Sequence, residues 1–222
     1  MKKSKLWERK IYIKNYERNY PFPLKHIKKI LKKLKLSKKD IFLDLGCGNG
    51  EFLKHAAKKV SFAVGVDVSQ KQLAMARKKL KKFKNMIMIN SDFTKFVSKI
   101  KFTKALARKT LHHLTDRQKK IFFKKISKNF EAKSLFLIED GIFFNFSRKE
   151  LSKNWDSLTK DCEIYYGKDW EKKKKDVIYC FKQEYPTGIK EWEKALKAGN
   201  FKILKTEKYS SFYGLIIAQK ES

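Results

Sequence analysis

Cysteine and long apolar runs are both scarce in this chain. Its three cysteines, Cys47, Cys162 and Cys180, are odd in number and scattered, which favours reduced thiols over a disulfide framework or a metal cluster. No apolar run is long enough to cross a membrane, and no charged-then-apolar leader with a cleavage site is present. We therefore expect a cytoplasmic protein with no membrane partner and no metal site.

Arginine is also scarce, supplying only six of the 55 basic side chains although the formal net charge is +32. Bidentate binding to phosphates and bases favours the guanidinium group, so this lysine bias weakens any inference of a polyanionic partner from charge alone. The net charge is +12 over residues 1–40 and +9 over residues 101–130, but only +2 over residues 141–189. RNA stays open as a partner of the two basic stretches.

Glycine is concentrated in one turn. Gly46, Gly48 and Gly50 follow the apolar run 41–43, and residues 51–59 come next as a predicted helix. Glycine permits positive-φ backbone close to a ligand, and the free amides of a helix N-terminus can donate to that ligand. The pattern predicts a strand, a nucleotide-cofactor turn and a helix.

Two further apolar runs end in acidic residues at similar spacing. Asp67 follows the run 62–66, 23 residues after Asp44, and Asp92 follows the run 86–89, 25 residues after Asp67. Taken singly, such residues cap helices about as often as they bind a ligand. All of them together in this register favour a cofactor site.

At these residues the chain resembles the class I S-adenosylmethionine-dependent methyltransferases. The stretch 43–50 is similar to the first motif of that family, and Asp67 and Asp92 are similar to its second and third. The turn reads Gly-x-Gly-x-Gly, whereas dinucleotide folds use Gly-x-Gly-x-x-Gly. The resemblance implies an α/β fold with a seven-stranded, mostly parallel sheet, an antiparallel last strand and helices on both faces, in a three-layer αβα sandwich.

The resemblance also implies a set of residues that bind S-adenosylmethionine and its product S-adenosylhomocysteine. Asp67 should accept both ribose hydroxyls, Val68 should pack on the adenine, and Asp92 and the backbone of Phe93 should hydrogen-bond to the adenine edge. The complete set is Asp44, Gly46, Cys47, Gly48, Gly50, Asp67, Val68, Asp92, Phe93, Ala107 and Arg108. The fourth motif departs from the family, because the fourth strand ends in the two cations Arg108 and Lys109.

Two histidines follow the fourth strand. His113 or His112 could deprotonate an acceptor, since imidazole titrates near neutrality, and Asp140 or Glu139 is an alternative base or acceptor contact. The competing interpretation is structural, with one histidine packed against the cofactor loop, and it has more weight.

Sequence periodicity predicts several further elements. Leu24, Ile27, Leu31 and Leu34 share one helical face, and the pairs Ser69/Gln72 and Thr115/Gln118 resemble capping boxes. The second of these helices should carry Ile121, Phe122, Ile126 and Phe130. Later elements are a strand over 134–139, a helix over 187–198 that Gly199 ends, and closing strands over 201–208 and 212–220.

Two aromatic groups are candidate acceptor contacts. Tyr12, Tyr16 and Tyr20, with Trp7, lie in an N-terminal helix that serves either as packing or as a lid over the acceptor. Residues 141–189 contain ten of the 31 aromatic side chains and form either an apolar acceptor pocket or a subsidiary core; Phe143, Tyr165 and Trp170 are its candidate contacts.

The predicted function is methyl transfer to a small organic acceptor. An RNA methyltransferase is the alternative that the basic stretches favour, and a cofactor-binding scaffold without turnover is a third, motivated by the altered fourth motif. We predict a single domain over residues 1–222, with an N-terminal cap (1–40), a cofactor-binding half (41–140), an inserted substrate cover (141–189) and a closing helix and strand pair (190–222).

Overall fold

Residues 9–222, the part of the chain that the computed structural model describes, form an eight-stranded sheet. Its strands are β1 (Ile41–Leu45), β2 (Phe62–Asp67), β3 (Met86–Asn90), β4 (Phe102–Arg108), β5 (Phe130–Phe143), β6 (Thr187–Gly188), β7 (Phe201–Lys208) and β8 (Tyr213–Lys220). The order along the sheet is β3-β2-β1-β4-β5-β8-β7, and β6 pairs with β5 beside this path.

The strand directions confirm the predicted fold class. Strand β2 runs parallel to both β1 and β3, whereas β7 and β8 are antiparallel. The prediction of seven strands missed β6, whose two residues are too few to leave a periodic pattern. β5 is also longer than the predicted 134–139 segment, because its pairing continues to Phe143.

The structure divides into two compact units. The first contains the described residues up to Leu106 together with Asn129–Leu135, and the second contains Ala107–Lys128 and Phe136–Ser222. Strands β4 and β5 each contribute residues to both units. The single-domain division stays a prediction.

The helices of the first unit are α1 (Lys10–Asn19), α2 (Leu24–Leu34), α3 (Leu53–Ala56) and α4 (Gln70–Leu80). Helix α2 buries Ile27, Ile30, Leu31 and Leu34, as its periodicity requires. Leu24, which was predicted on this face, is half exposed because it is the first residue of the helix, before the buried stripe begins.

Helix α3 is much shorter than the predicted helix over 51–59. The N–H of His55 bonds to the carbonyl of Phe52, and that of Lys59 bonds to the carbonyl of Ala56. These bonds span three residues, as in 3-10 turns, and tighten the chain on both sides of a single α-helical turn.

Helix α5 (Asp116–Ile126) of the second unit begins at the predicted capping box, in which Thr115 and Gln118 bond reciprocally. Phe122 and Ile126 are buried as predicted, but Ile121 is 57% exposed. The neighbouring Phe123 takes the inward position instead. Phe130 is buried too, although it starts β5 and does not belong to the helix.

Residues 141–189 contain their own helices, α6 (Trp155–Tyr166) and α7 (Trp170–Gln183). They share a compact core, whose buried members are Phe143, Leu158, Cys162, Trp170, Val177, Phe181 and Phe212. Several of the aromatic side chains of this segment therefore form a subsidiary core, one of the two interpretations that the sequence left open.

Helix α8 (Ile189–Ala198) buries Trp192 and Leu196, as predicted. It begins two residues later than expected, because Thr187 and Gly188 form β6. Gly199 ends the helix through close packing, since a Cβ there would lie 2.5 Å from the carbonyl oxygen of Phe123. The left-handed residue is the next one, Asn200, with φ of 58°.

Within the described residues, no helix combines the length and the apolar character that crossing a bilayer requires.

Candidate functional site

The glycine turn has the backbone conformation that its sequence predicts. Gly46, Gly48 and Gly50 all have positive φ, at 72°, 52° and 74°. The N–H groups of Gly46 and Cys47 bond to the carbonyl of Val66, which ties the turn to β2. A side chain at these positions would strain the backbone, so the glycines are required by geometry.

Asp67 connects the turn to the second strand end. Its Oδ2 atom accepts the N–H of Gly48 at 2.8 Å, and its Oδ1 atom accepts the N–H of Ser69 at 2.9 Å. The Ser69 hydroxyl in turn accepts the N–H of Gln72, which caps α4 as predicted. A carboxylate has about four acceptor positions, so these two bonds are compatible with further bonds to ribose hydroxyls.

Gln72 is a candidate that the sequence did not identify as a binding residue. Its side chain is 6% exposed and lies 3.8 Å from where a Cβ of Gly48 would be. Its Oε1 atom has no hydrogen-bond partner among the described residues. A buried acceptor of this kind costs free energy unless a ligand donates to it, so this side of the turn fits a bound polar ligand.

Two other predicted cofactor residues in the turn are buried. Asp44 is 4% exposed and Cys47 is 8% exposed. Burial, reinforced by the charges of Asp44 and Asp67, raises the pKa of the Cys47 thiol well above its ordinary value. Cys47 is therefore a neutral, packed side chain and not a nucleophile.

The predicted adenine contacts lie nearer the surface. Val68 is 44% exposed, and Phe93 is half-buried. Asp92 is exposed, and its Oδ1 accepts the backbone N–H and the hydroxyl of Thr94 at 2.9 and 2.7 Å. Asn90, which the sequence did not single out, donates to the carbonyls of Asp67 and Val68 and so fixes the end of β2.

The N-terminal helix is bonded to the glycine turn. The side-chain amide of Asn49 donates to the carboxylate of Glu17 in α1, with Nδ2 and Oε1 2.5 Å apart. The rings of Tyr16 and Tyr20 are both half-buried and contact each other, with centroids 5.1 Å apart. Trp7 and the side chain of Tyr12 lie outside the described residues.

In the second unit, Glu139 organises one face of the sheet. Its Oε1 atom accepts Nε of Arg108 at 2.9 Å and also accepts the hydroxyl of Tyr213. These side chains come from β4, β5 and β8, which are neighbours in the sheet order. Burial and the charge of Glu139 raise the pKa of Tyr213. Arg108, a predicted cofactor contact, thus has a strong partner in Glu139, and Ala107 before it is fully buried.

Lys109 ends β4 in an unusual conformation. Its φ is 51°, its N–H bonds to the carbonyl of Glu139 at 2.8 Å, and its Nζ lies 5.5 Å from the centre of the Tyr213 ring. Burial, followed by the charge of Arg108, lowers the pKa of Lys109 to about 7. Backbone in the left-handed region together with a displaced pKa is typical of functional sites.

Asp140 is next to Glu139 in β5 and therefore faces the opposite side of the sheet. Its Oδ2 accepts the N–H groups of Thr110, Leu111 and His112, and its Oδ1 accepts Nδ1 of His112 at 2.6 Å and the N–H of Gly141. Burial opposes ionisation, but His112 outweighs it and lowers the pKa of Asp140 to about 2. This geometry favours a positioning role over the base proposed from the sequence.

Both histidines face Glu184, a residue that sequence reasoning missed. His112 Nε2 lies 3.1 Å from one oxygen of Glu184, and His113 Nδ1 lies 3.3 Å from the other. Glu184 is 4% exposed. It belongs to no sequence motif that would identify it as a functional residue. In the described part of the chain, these three side chains form a group that could hold a metal ion, although the sequence predicted none.

The predicted acceptor contacts of the 141–189 segment divide into two kinds. Phe143 and Trp170 are buried in the subsidiary core at 0% and 5% exposure. Tyr165 is 40% exposed and packs edge-on against Phe212. Of the three, Tyr165 is the one whose exposure suits an acceptor contact, and all three assignments stay predictions.

Comparison with known families gives one match over most of the chain. A family model described as a methyltransferase domain matches residues 36–202. This range includes the glycine turn, the acidic strand ends, both histidines and Glu184.

Two curated relatives match parts of the chain. An uncharacterised methyltransferase of Schizosaccharomyces pombe is 31% identical over 139 residues, covering 60% of this chain and 52% of that protein. A ribosomal RNA small subunit methyltransferase A of Caldanaerobacter subterraneus is 32% identical over 79 residues, covering 36% of this chain and 30% of that protein. The chain thus spans between about a third and a half of the length of these relatives.

A solved structure matches along almost the whole chain. Magnesium protoporphyrin IX methyltransferase from Synechocystis PCC 6803, crystallised with bound SAH, has a TM-score of 0.67 at 12% identity. The match covers 97% of each chain. At this identity the likeness establishes the fold alone.

Proposed function

Since this chain belongs to the class I S-adenosylmethionine-dependent methyltransferases, we propose that it transfers the methyl group of S-adenosylmethionine to a small organic acceptor. The bound cofactor supplies an electrophilic methyl group on a sulfonium centre, and S-adenosylhomocysteine is the product. The residues of the chain bind and orient the reactants and accept a proton where the acceptor must lose one.

The glycine turn and its acidic neighbours are the proposed cofactor site. Asp67 would accept hydrogen bonds from the ribose hydroxyls, Gln72 Oε1 would accept one from a polar group of the ligand, and Val68 would pack on the adenine. Asp44 and Asp92 provide negative charge, which suits a cationic ligand without phosphates. The buried, unsatisfied oxygen of Gln72 beside Gly48 is the feature of this unit that best fits a ligand.

The observation that favours a small acceptor is a set of three buried carboxylates in the second unit. Glu139, Asp140 and Glu184 are all buried, at 4% exposure or less. Carboxylates in such a place repel the phosphates of a polynucleotide, whereas a small molecule that carries hydroxyl or amino groups can donate to them.

Lys109 is the proposed proton acceptor. Because its pKa is lowered to about 7, a large fraction of its amine is unprotonated near neutral pH, as a general base must be. His112, His113 and Asp140, the bases suggested by the sequence, bond to each other and to Glu184. We assign that group to positioning the turn over 110–113.

The second candidate is an RNA methyltransferase. Exposed lysines on α2 and α5 favour it, as does the similarity of a short stretch to a ribosomal RNA methyltransferase. Some lysines of the 141–189 segment have other contacts, however: Lys173 and Lys182 lie over the rings of Tyr166 and Trp155.

Labelling distinguishes the two candidates. The protein is incubated with radiolabelled methyl donor and either total RNA or a small-molecule extract, at two salt concentrations. We expect label in the small-molecule pool at both salt concentrations. Binding to bulk RNA should be weak, with a Kd of about 10⁻⁴ to 10⁻⁶ M, and should weaken further as the salt concentration rises.

An incubation without protein is the blank for enzyme-dependent label. Label at one RNA position that falls steeply with salt would establish the RNA enzyme instead. Absence of label from both pools would favour a cofactor-binding scaffold.

A further inference from the structure

His112, His113 and Glu184 bring three metal-binding groups together in the second unit. His112 Nε2 and Glu184 Oε2 are 3.1 Å apart, and His113 Nδ1 and Glu184 Oε1 are 3.3 Å apart. One ligand atom from each of the three residues lies within 4.8 Å of the other two. The side chain of Glu184 is 6% exposed and that of His112 is 12% exposed, so water screens their charges little.

His112 lies between two carboxylates, those of Asp140 and Glu184. Asp140 Oδ1 lies 2.6 Å from Nδ1 of His112, and an ionised carboxylate can only accept, so the proton is on Nδ1. The other ring nitrogen, Nε2, lies 3.1 Å from the carboxylate of Glu184. At this distance either a proton or a metal ion between the two atoms makes the contact favourable.

Several features favour a metal over protons alone. Zinc is bound at about 2.0–2.2 Å by histidine nitrogen and carboxylate oxygen, and a tetrahedron of that size separates its ligand atoms by about 3.3 Å. The two histidine–carboxylate separations, 3.1 and 3.3 Å, are close to this value, with each histidine facing a different oxygen of Glu184. The Asp140–His112 pair reproduces the carboxylate–histidine arrangement that orients metal ligands in known sites.

The backbone around the group is held in place. The N–H of Tyr185 bonds to the carbonyl of His112 at 2.7 Å, which joins the turn of the histidines to the segment of Glu184. The Nζ atom of Lys119 bonds to the carbonyls of Leu114 and Tyr185, at 2.6 Å each. The ligands are therefore pre-positioned on both segments, and the cost of ordering them on binding is small.

We propose that His112, His113 and Glu184 bind one divalent transition-metal ion of the zinc class. Three protein ligands leave at least one coordination position for water or an acceptor group, as in catalytic rather than structural zinc sites. Asp140 is a positioning residue for His112 in this site. The proposal does not depend on the proposed acceptor or on Lys109.

Titration of tag-free protein with Zn²⁺, in competition with a chromophoric chelator, is the test, and Co²⁺ absorption reports the ligand set. We expect one ion per chain. Glu184→Gln should lose most of the affinity, and Asp140→Asn should lose about 10- to 100-fold through the misoriented imidazole. Circular dichroism of each metal-free variant checks that it is folded.

Three variants control for other ligands. His55→Ala removes the half-buried pair with Glu51, Glu171→Gln removes an exposed carboxylate from α7, and Cys180→Ser removes the half-buried thiol. All three should bind like wild type. Wild type that binds no ion, or a folded Glu184→Gln variant with unchanged affinity, would overturn the proposal and leave a proton-filled hydrogen-bond network.

Discussion

Asp67 accepts the N–H of Gly48 across the first unit, with Oδ2 and N 2.8 Å apart. The same carboxylate is the proposed ribose acceptor, so one side chain both shapes the glycine turn and contacts the cofactor. Asparagine retains one accepting oxygen, so Asp67→Asn keeps at most one of the two backbone bonds and loses the charge.

We predict that Asp67→Asn weakens binding of S-adenosylhomocysteine by roughly 1 to 3 kcal/mol, through lost charge-assisted hydrogen bonds to a buried polar ligand. Isothermal titration calorimetry measures this change. Glu51→Gln is the control, since Glu51 follows the same turn but pairs with Lys79. Equal affinities of wild type and Asp67→Asn would remove the ribose assignment.

The bond between Asn49 and Glu17 predicts that α1 is held to the turn. Asn49→Ala removes it, and a hydrogen bond to a charged group contributes about 1.5–3 kcal/mol, so the open population of α1 should rise by about 10- to 100-fold. Timed trypsin digestion followed by mass spectrometry should detect faster cleavage after Lys14 and Arg18.

Asn15→Ala is the matched control for the helix. Asn15 is also in α1, where its Oδ1 atom accepts Nη2 of the exposed Arg18 at 3.4 Å. An Asn49→Ala digest no faster than that of Asn15→Ala would mean that this bond does not hold the helix.

Lys109→Met should lower turnover about 100-fold or more, within the usual range for loss of a general base, and leave cofactor affinity within a few-fold. Wild-type turnover should rise with pH through about 7, because only the unprotonated amine of Lys109 accepts a proton. The remaining activity of Lys109→Met should lack that rise.

Lys133→Met controls for the left-handed backbone, since Lys133 has φ of 64° but an exposed side chain. It should keep the wild-type pH profile. A profile of Lys109→Met that still rises through pH 7 would assign the base elsewhere.

Asp140→Asn should reduce the free energy of unfolding by about 2 kcal/mol at pH 7. The pKa of Asp140 is about 2 in the folded protein, below its unfolded value. Its stabilisation is therefore fully present above about pH 4 and is lost as the pH falls through about 2. Denaturant titrations at pH 7, 4 and 2 should show that the difference in free energy of unfolding between Asp140→Asn and wild type becomes smaller as the pH falls.

Asp176→Asn, on the exposed side of α7, is the control and should differ little from wild type at any pH. If the difference in free energy of unfolding between Asp140→Asn and wild type stayed constant from pH 4 to pH 2, the assigned role of the carboxylate would be contradicted.

The sequence predicted those parts of the structure that local chemistry determines. Positive φ at the glycines and the cap at Thr115 follow from a few adjacent residues. The parallel strands ending near Asp67 and Asp92 follow from apolar runs of the right length. Each of these features depends on residue types close together in the chain, which is why motif and periodicity were sufficient.

The rest depends on contacts between distant residues. Glu184 contacts His112 although the two residues are 72 positions apart in the sequence. The residues next to either one form no pattern that predicts this contact. The environment of Lys109 was equally hidden, although its place after Arg108 was noted as a departure from the family. Gln72 was recognised only as a capping partner, because an unsatisfied oxygen is visible only in three dimensions.

The opposite orientation of Glu139 and Asp140 makes β5 intolerant of any change in its length. Insertion or deletion of one residue within the strand before position 139 would exchange the two carboxylates between the faces of the sheet. The shorter Asp140 would then face Arg108 and Tyr213, while the turn of the histidines would receive the longer Glu139. Insertions and deletions in homologues of this chain should therefore occur in the connections that flank β5. The strand itself should tolerate only substitutions.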